Sequence, residues 1–377
     1  MSERVRLIWI CPEFTPYHEA LFQALALDNN ISLRVEVMMG PTEKHPFKLG
    51  KERPFEWGLA KSPDLVDRAL IKRVLQEKKA WIVVASYLKP TLMATMKALA
   101  AENRRFLHYT DTPLPQDVEW NAGMPRRRSW MRRWARRRRL NWIFNHAYRV
   151  LATGLPGVDA VVRLGCQGTK AIVFPYWVAL PKLATENRRQ RERVLLGVGQ
   201  LVYRKGYDIA LHAFANAINS PGCNDLCLKL IGAGEQKENL EGLILKLGIE
   251  NRVELKGWLQ PTQIREELLK ASAFIHTARW EPFGVSVLEA MAAGLPVLGS
   301  DQTMAVLDRV ENNVSGFIHR TGNIEQLADH IIQVFANTEG AVRMGLAARR
   351  KAEEWPPERG VQIIKSIILN ECSSSNA

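Results

Sequence analysis

Cysteine is scarce in this sequence: Cys11, Cys166, Cys223, Cys227 and Cys372 are five in 377 residues, and no two stand at CxxC spacing. An odd, scattered set with no histidine cluster beside Cys223 and Cys227 argues against a disulfide framework and a zinc knuckle, and fits a reducing compartment. Long apolar runs are missing as well. Nothing approaches the ~20 consecutive apolar residues of a bilayer-spanning helix. The longest such segment, 81–88, is short and β-branched and reads as a buried strand. Residues 7–11, behind Glu3, Arg4 and Arg6, are too few for a secretory leader and read as a first core strand. The expected location is the cytoplasm, at the inner face of the cytoplasmic membrane.

Acidic residues are short in one half only. Residues 1–180 hold 29 Lys+Arg against 16 Asp+Glu, whereas the remainder holds 23 of each, so the whole net charge of +13 sits in the first half. That half is expected to meet something anionic. Nine arginines crowd 125–140, interleaved with Trp130, Met131 and Trp134. If helical, the two tryptophans share a face, and arginine around tryptophan suits an anionic membrane surface reached through 126–139. A solvated basic helix, an anionic glycan contact and a nucleic-acid module remain open for that segment alone.

What is present is a repeated alternation. Segments 6–10, 33–38, 81–85 and 105–109 read as strands, and 19–27, 65–78 and 91–103 as helices. The pattern restarts with strands at 194–198, 227–231, 253–256, 273–277 and 296–298, separated by helices at 207–217, 237–247, 261–270 and 285–293. Such alternation predicts α/β architecture with two doubly wound, Rossmann-like domains, each a parallel sheet covered by helices. Ligands of such sheets bind at the carboxyl ends of the strands. A polar stretch around Pro181 is the linker candidate.

The strongest local signal is 280–294, W-E-P-F-G-V-S-V-L-E-A-M-A-A-G. Glu281 sits at a turn after a strand, Gly284 opens a helix, Glu289 falls in its second turn and Gly294 ends it. The unpaired N–H groups at Phe283, Gly284 and Val285 form a helix start suited to a diphosphate. Gly199, Gln200, Arg204, Lys205 and Gly206 follow the first strand of the second domain and place two cations at a strand end. The turn Gly232-Ala233-Gly234 lacks the third glycine of a dinucleotide fingerprint.

Together these segments resemble the E-x7-E motif and donor domain of family 4 retaining glycosyltransferases, which have the GT-B fold, over about 194–322. The resemblance implies two domains facing a central cleft: 1–177 for the acceptor, completed by a C-terminal helix at 356–372, a linker at 178–190, and 191–355 for a nucleotide-diphosphate sugar. It implies that Glu281 lies by the donor sugar and Glu289 binds the ribose. Lys205 holds the diphosphate, with Arg204 as second cation where many relatives carry an arginine at the position of Gln200. The backbone at Phe283 and Gly284 holds the distal phosphate, and Gly234, Trp258 and Leu259 line the nucleotide. No D-x-D motif is present, and lysine, arginine and a helix start suffice to neutralise a leaving diphosphate, so no metal or other cofactor is expected. The implied activity is sugar transfer to a hydroxyl of a glycan or lipid-linked glycan. On the acceptor side, Tyr17 and His18 follow strand one, and His108 and Asp111 end a later strand. The Gly-Gly pair that many relatives carry in the first of these loops is absent. A nucleic-acid-binding protein using 126–139 is the alternative from another class, and a sugar-nucleotide epimerase on the same fold is the alternative enzyme.

Overall fold

The computed structural model describes residues 4–40, 53–113, 118–121, 124–180 and 191–374. The chain divides into two compact units. One comprises Met1–Val118, Arg127–Trp177 and Pro356–Ala377; the other comprises Glu119–Arg126 and Val178–Trp355.

The first unit runs β1 (Val5–Glu13), α1 (Pro16–Leu27), β2 (Ile31–Met39), β3 (Glu56–Leu59), α2 (Arg68–Gln76), β4 (Trp81–Ala85), α3 (Pro90–Ala101) and β5 (Leu107–Thr110). After a two-stranded pair, β6 (Val118–Asn121) and β7 (Met124–Arg127), come α4 (Trp130–His146), β8 (Arg149–Ala152), α5 (Gly154–Arg163) and β9 (Ala171–Val173). The main sheet has the order β3-β2-β1-β4-β5-β8-β9 with parallel pairings throughout. Strands covered on both faces must be apolar nearly throughout, which is why β1 and β4 carry Leu7–Cys11 and Ile82–Ala85 without alternation. The helix expected at 65–78 begins at Arg68, because the Asp67 carboxylate accepts the Leu70 N–H at 2.9 Å and caps it. The helix expected from Glu19 begins at Pro16, whose fixed φ suits a first helical position.

The second unit runs β10 (Val194–Val198), α6 (Tyr207–Ala217), β11 (Cys227–Ile231), α7 (Lys237–Leu247), β12 (Val253–Gly257), α8 (Pro261–Lys270) and β13 (Ala273–His276). It continues through α9 (Val285–Ala292), β14 (Val297–Ser300), α10 (Met304–Arg309), β15 (Gly316–His319), α11 (Ile324–Ala336) and α12 (Thr338–Glu353). Its six strands are parallel in the order β12-β11-β10-β13-β14-β15. The order reverses between β10 and β13, where the crossovers leave to opposite faces and open a crevice at the strand ends. Of the linker expected at 178–190, residues 181–190 lie outside the described residues.

The last helix, α13 (Pro357–Ser374), belongs to the first unit and packs on α1. Ile364, Ile367 and Ile368 are buried, and Lys365 Nζ donates to Asp28 at 2.9 Å. A side chain at Gly360 would stand 2.7 Å from Leu21 and 2.8 Å from the Trp177 ring, so glycine sets how closely the two helices approach.

Candidate active site

Four loops at the carboxyl ends of β10, β11, β12 and β13 form the site in the second unit. The β10 loop is fastened to the β11 loop by Gly199 N–H donating to the Ile231 carbonyl, and Leu201 N–H to that of Ala233, both at 2.9 Å. Gly232 N–H donates in turn to the Gly257 carbonyl at 2.8 Å, which ties in the end of β12 before Trp258 and Leu259. Such spacing leaves no room for Cβ atoms: one at Gly232 would lie 1.9 Å from the Gly199 oxygen, and one at Gly234 would lie 2.3 Å from that of Leu201. Gly199, Gln200, Gly234, Trp258 and Leu259 are thus parts of one hydrogen-bonded rim, with their surfaces at least partly open.

Residues Tyr203–Lys205 form one 3₁₀ turn, closed by Gly206 at φ 66°. The β13 loop holds that turn. Arg279 donates to the Tyr203 carbonyl at 2.9 Å, stacks over the Tyr203 ring at 3.9 Å and pairs with Asp208 at 2.6 Å. Thr277 Oγ1 donates to the Gly206 carbonyl at 2.8 Å. A Cβ at Gly206 would approach the Thr277 oxygen to 2.2 Å in a left-handed conformation. Gly206→Ala is expected to cost about 2–3 kcal/mol, lowering Tm by roughly 5–10 °C; an unchanged melting temperature would show that the turn is not so held.

This frame brings Lys205 and Arg204, from the β10 side of the switch point, onto Glu281 from the β13 side. Lys205 Nζ and Arg204 Nη1 both reach Glu281 Oε2, the latter at 3.0 Å, and Arg204 also donates to the Trp280 carbonyl at 2.8 Å. All three side chains are largely buried. Burial alone would push the Glu281 carboxyl up, but Lys205 and then Arg204 outweigh it and hold it at about 2. The lysine is drawn down by burial against the pull of Glu281, with Arg204 adding to the lowering. We take the ion pair as charged, since the carboxylate faces two cations. The Glu281 backbone is fixed by its N–H donating to the Gln302 carbonyl at 2.9 Å and by its carbonyl accepting from Met304 N–H at 3.2 Å.

Gly284, at φ 101°, starts α9 directly after buried Phe283, leaving the N–H groups of Gly284 and Val285 at the helix tip without intrahelical partners. The other end of α9 is anchored by arginine: Arg191 donates to the Ala293 carbonyl at 2.7 Å and Arg349 to that of Ala292. Cations at the C-terminus complement the dipole and hold the helix in place. Glu289, partly covered in the second turn, has its carboxyl raised to about 7 by burial, against a weaker opposing pull from Arg265 on α8.

His276, Tyr207 and Thr303 are buried beside the ion pair of Lys205 and Glu281 and had no distinguishing sequence signal. His276 is 3% exposed and held near 3 by burial first and Lys205 second, so its imidazole is neutral. Ser300 Oγ donates to the Ala278 carbonyl at 2.6 Å and lies 3.1 Å from Thr303 Oγ1, which lies 3.0 Å from His276 Nδ1. All three bonds form together only if Thr303 donates to Ser300 and Nδ1–H donates to Thr303. Nε2 is then a buried lone pair without a hydrogen-bond donor, 3.7 Å from where a Gly284 Cβ would stand. Burial, then Glu281, raises the Tyr207 hydroxyl, which is 3.0 Å from a Cβ position at Gly199.

The acceptor-side candidates belong to the first unit, where His18 lies edge-on to the Tyr109 ring at 6.5 Å and Asp111, after burial, helps to raise the Tyr109 hydroxyl. His18 is buried, lies 3.0 Å from Thr15 Oγ1 through Nδ1 and stacks on Phe22, a helix-start contact that uses its ring locally. Burial lowers it to about 4. His108 corrects its expected place at a strand end open to ligand: it is fully buried, with Nδ1 3.1 Å from the Val84 carbonyl, because its strand is central in the sheet. Asp111, one residue past β5, is exposed. The Tyr17 side chain lies outside the described residues.

Residues 182–351 match the family model of glycosyl transferases group 1. Among curated proteins, the lipopolysaccharide core biosynthesis glycosyltransferase LpsE of Rhizobium meliloti is 31% identical over 156 residues, covering 41% of this chain and 43% of its own. The amylovoran biosynthesis glycosyltransferase AmsK of Erwinia amylovora is 27% identical over 201 residues, covering 51% and 49%. The chain thus spans about half the length of the curated relatives it matches. HepE of Anabaena, solved with UDP, superposes with a TM-score of 0.76 at 18% identity, covering 97% of this chain and all of that one. At that identity the likeness shows the fold, two parallel-sheet α/β domains of the GT-B architecture.

Proposed function

We propose that the chain is a retaining glycosyltransferase that moves a sugar from a nucleotide-diphosphate sugar to a hydroxyl of a glycan or lipid-linked glycan, without a metal ion. One observation carries this reading: a buried carboxylate held by two cations at the switch point of a parallel sheet, beside the start of a helix. The group 1 match covers that site, and the relatives' names speak of amylovoran and lipopolysaccharide core biosynthesis.

The chemistry of sugar transfer separates charge. The anomeric carbon becomes oxocarbenium-like as its bond to the diphosphate oxygen breaks and the electron pair leaves with the phosphate. Lys205, Arg204 and the N–H groups at Gly284 and Val285 are arranged to receive the growing negative charge. Glu281, ionised at any ordinary pH, is left to face the growing positive charge once the diphosphate competes for its cations. Glu289 accepts from the ribose hydroxyls. The acceptor hydroxyl attacks from the face the diphosphate leaves, and its proton passes to the departing phosphate oxygen as the new bond to the anomeric carbon forms.

HepE was solved with UDP and with UDP-glucose, so a uridine donor is the first to offer. Protein treated with a chelator should transfer sugar at an undiminished rate, and proton NMR of the product should show the donor's anomeric configuration. Inhibition reversed by added magnesium or manganese would overturn the metal-free reading, and an inverted linkage the retaining one. A new sugar nucleotide formed without acceptor would mark an epimerase.

A further inference from the structure

The arginine run that the reaction leaves unused forms the start of α4. Ser129 caps it, and Leu140, Ile143 and Phe144, at i, i+3 and i+4 spacing, bury one side of the helix in the first unit. At 100° per residue, Trp130, Met131, Trp134 and Arg138 fall on the remaining half. These three large apolar side chains are 69%, 60% and 58% exposed, an unusual patch for residues that normally find cover. Arg138 shares that half, its guanidinium 5.2 Å over the Trp134 ring, and Arg137 flanks it; Arg133 and Arg139 leave the same exposed stretch on other sides, and Arg133, Arg137 and Arg139 make no side-chain hydrogen bond or ion pair with the described residues. Between Glu119 and Asp159 the sequence has no acidic residue at all.

We propose that this exposed start of α4 docks on an anionic lipid bilayer, with Trp130, Met131 and Trp134 seated among the headgroups and the long side chains of Arg133, Arg137 and Arg139 reaching lipid phosphates from its flanks. Cationic charge alone would suit any polyanion. The apolar set decides among them: indoles favour the headgroup layer, where one edge is dry and the other wet, and a methionine thioether gains from an apolar phase but has nothing to offer a polyanion in water. Guanidinium groups match phosphate oxygens in a fixed fork. Among the described residues no helix is long and apolar enough to cross a membrane, so the contact is interfacial.

Flotation with phosphatidylcholine vesicles, with and without phosphatidylglycerol, tests this directly. The full chain should float only with the anionic vesicles and its tryptophan emission should shift to the blue. Trp130→Ser/Met131→Ser/Trp134→Ser and, separately, Arg133→Gln/Arg137→Gln/Arg139→Gln should each lower the partition coefficient by about tenfold or more. All these positions are exposed, and an unchanged melting curve shows that each variant is folded; Trp130→Ser alone serves if the triple variant is not. No flotation with phosphatidylglycerol would overturn the proposal. So would an apolar variant that floats like the parent while the arginine variant does not, especially if both parent and apolar variant bind single-stranded DNA or heparin equally, because the face would then be a general polyanion site.

Discussion

Lys205→Ala is expected to reduce kcat by about 100-fold or more, the loss seen when one charge-stabilising donor is removed from a transition state. The ammonium is mostly buried against Glu281, whose side chain adjoins the helix start at Gly284, and lies 3.3 Å from where a Gly199 Cβ would stand. Its charge has been desolvated in the folded protein before any substrate arrives, so it need not reorganise when the phosphate leaves. Binding should suffer less than turnover, because the ground-state diphosphate keeps Arg204 and the backbone N–H groups. Removing Lys205 also leaves Glu281, among the described residues, paired with Arg204 alone, and an under-compensated buried carboxylate destabilises. Melting curves must therefore accompany the kinetics. Glu281 is a group whose folded value is depressed: its pairing stabilises the protein above the ordinary carboxylate range, and that contribution is lost as pH falls toward about 2. Lys205→Ala should shrink this acid-side loss. A folded variant with unchanged kcat would remove the lysine from the mechanism, whereas Lys205→Arg should recover charge but not the compact geometry and fall between the two.

The second unit was far more legible than the first, for a physical reason. Its strands at 194–198 and 227–231 are buried on both sides and bounded by glycine or polar turns, so the apolar runs coincide with β10 and β11. Glu281, Gly284 and Glu289 stand within nine residues, and a turn followed by a helix fixes their arrangement locally. β3, by contrast, is a four-residue edge strand, Glu56–Leu59, with three exposed side chains and no alternation to read. His276 and Arg279 reach the site only because β13 lies beside β10 in the sheet while more than 60 residues away in the chain. No local pattern marks them, and a lone histidine in an apolar run reads as core. His108 shows the converse: its position suggested a strand-end ligand contact, but its central strand keeps it inside. Arg204, four residues past Gln200, donates to the same Glu281 oxygen that Lys205 reaches.

Nucleotide-sugar affinity is expected to rise with pH up to about 7 and then level off. Both ribose hydroxyls are donors to Glu289 in the proposed complex, and they are best received by a carboxylate. Burial raises that carboxyl to about 7 in the unliganded protein, with Arg265 the charged group that opposes the shift. Below that value the group must shed its proton to bind, which costs about tenfold in affinity per pH unit. Between roughly pH 5.5 and 8 the dissociation constant should therefore fall by about 30-fold. A nucleotide sugar is the right probe, because its diphosphate lacks the terminal monoester ionisation near pH 6 that would confuse a free nucleotide. His276 stays neutral across the window. Glu289→Gln should bind with a nearly flat pH profile, at the affinity of the protonated parent or weaker. Its stability should shift oppositely to that of a Glu281 variant: a raised carboxyl stabilises below the ordinary carboxylate value and loses that contribution as pH climbs to about 7. Glu289→Gln should thus gain in Tm relative to the parent at pH about 8, where the parent holds a poorly solvated charge. Calorimetry showing a flat parent profile, or the same slope in the glutamine variant, would take the ribose away from Glu289.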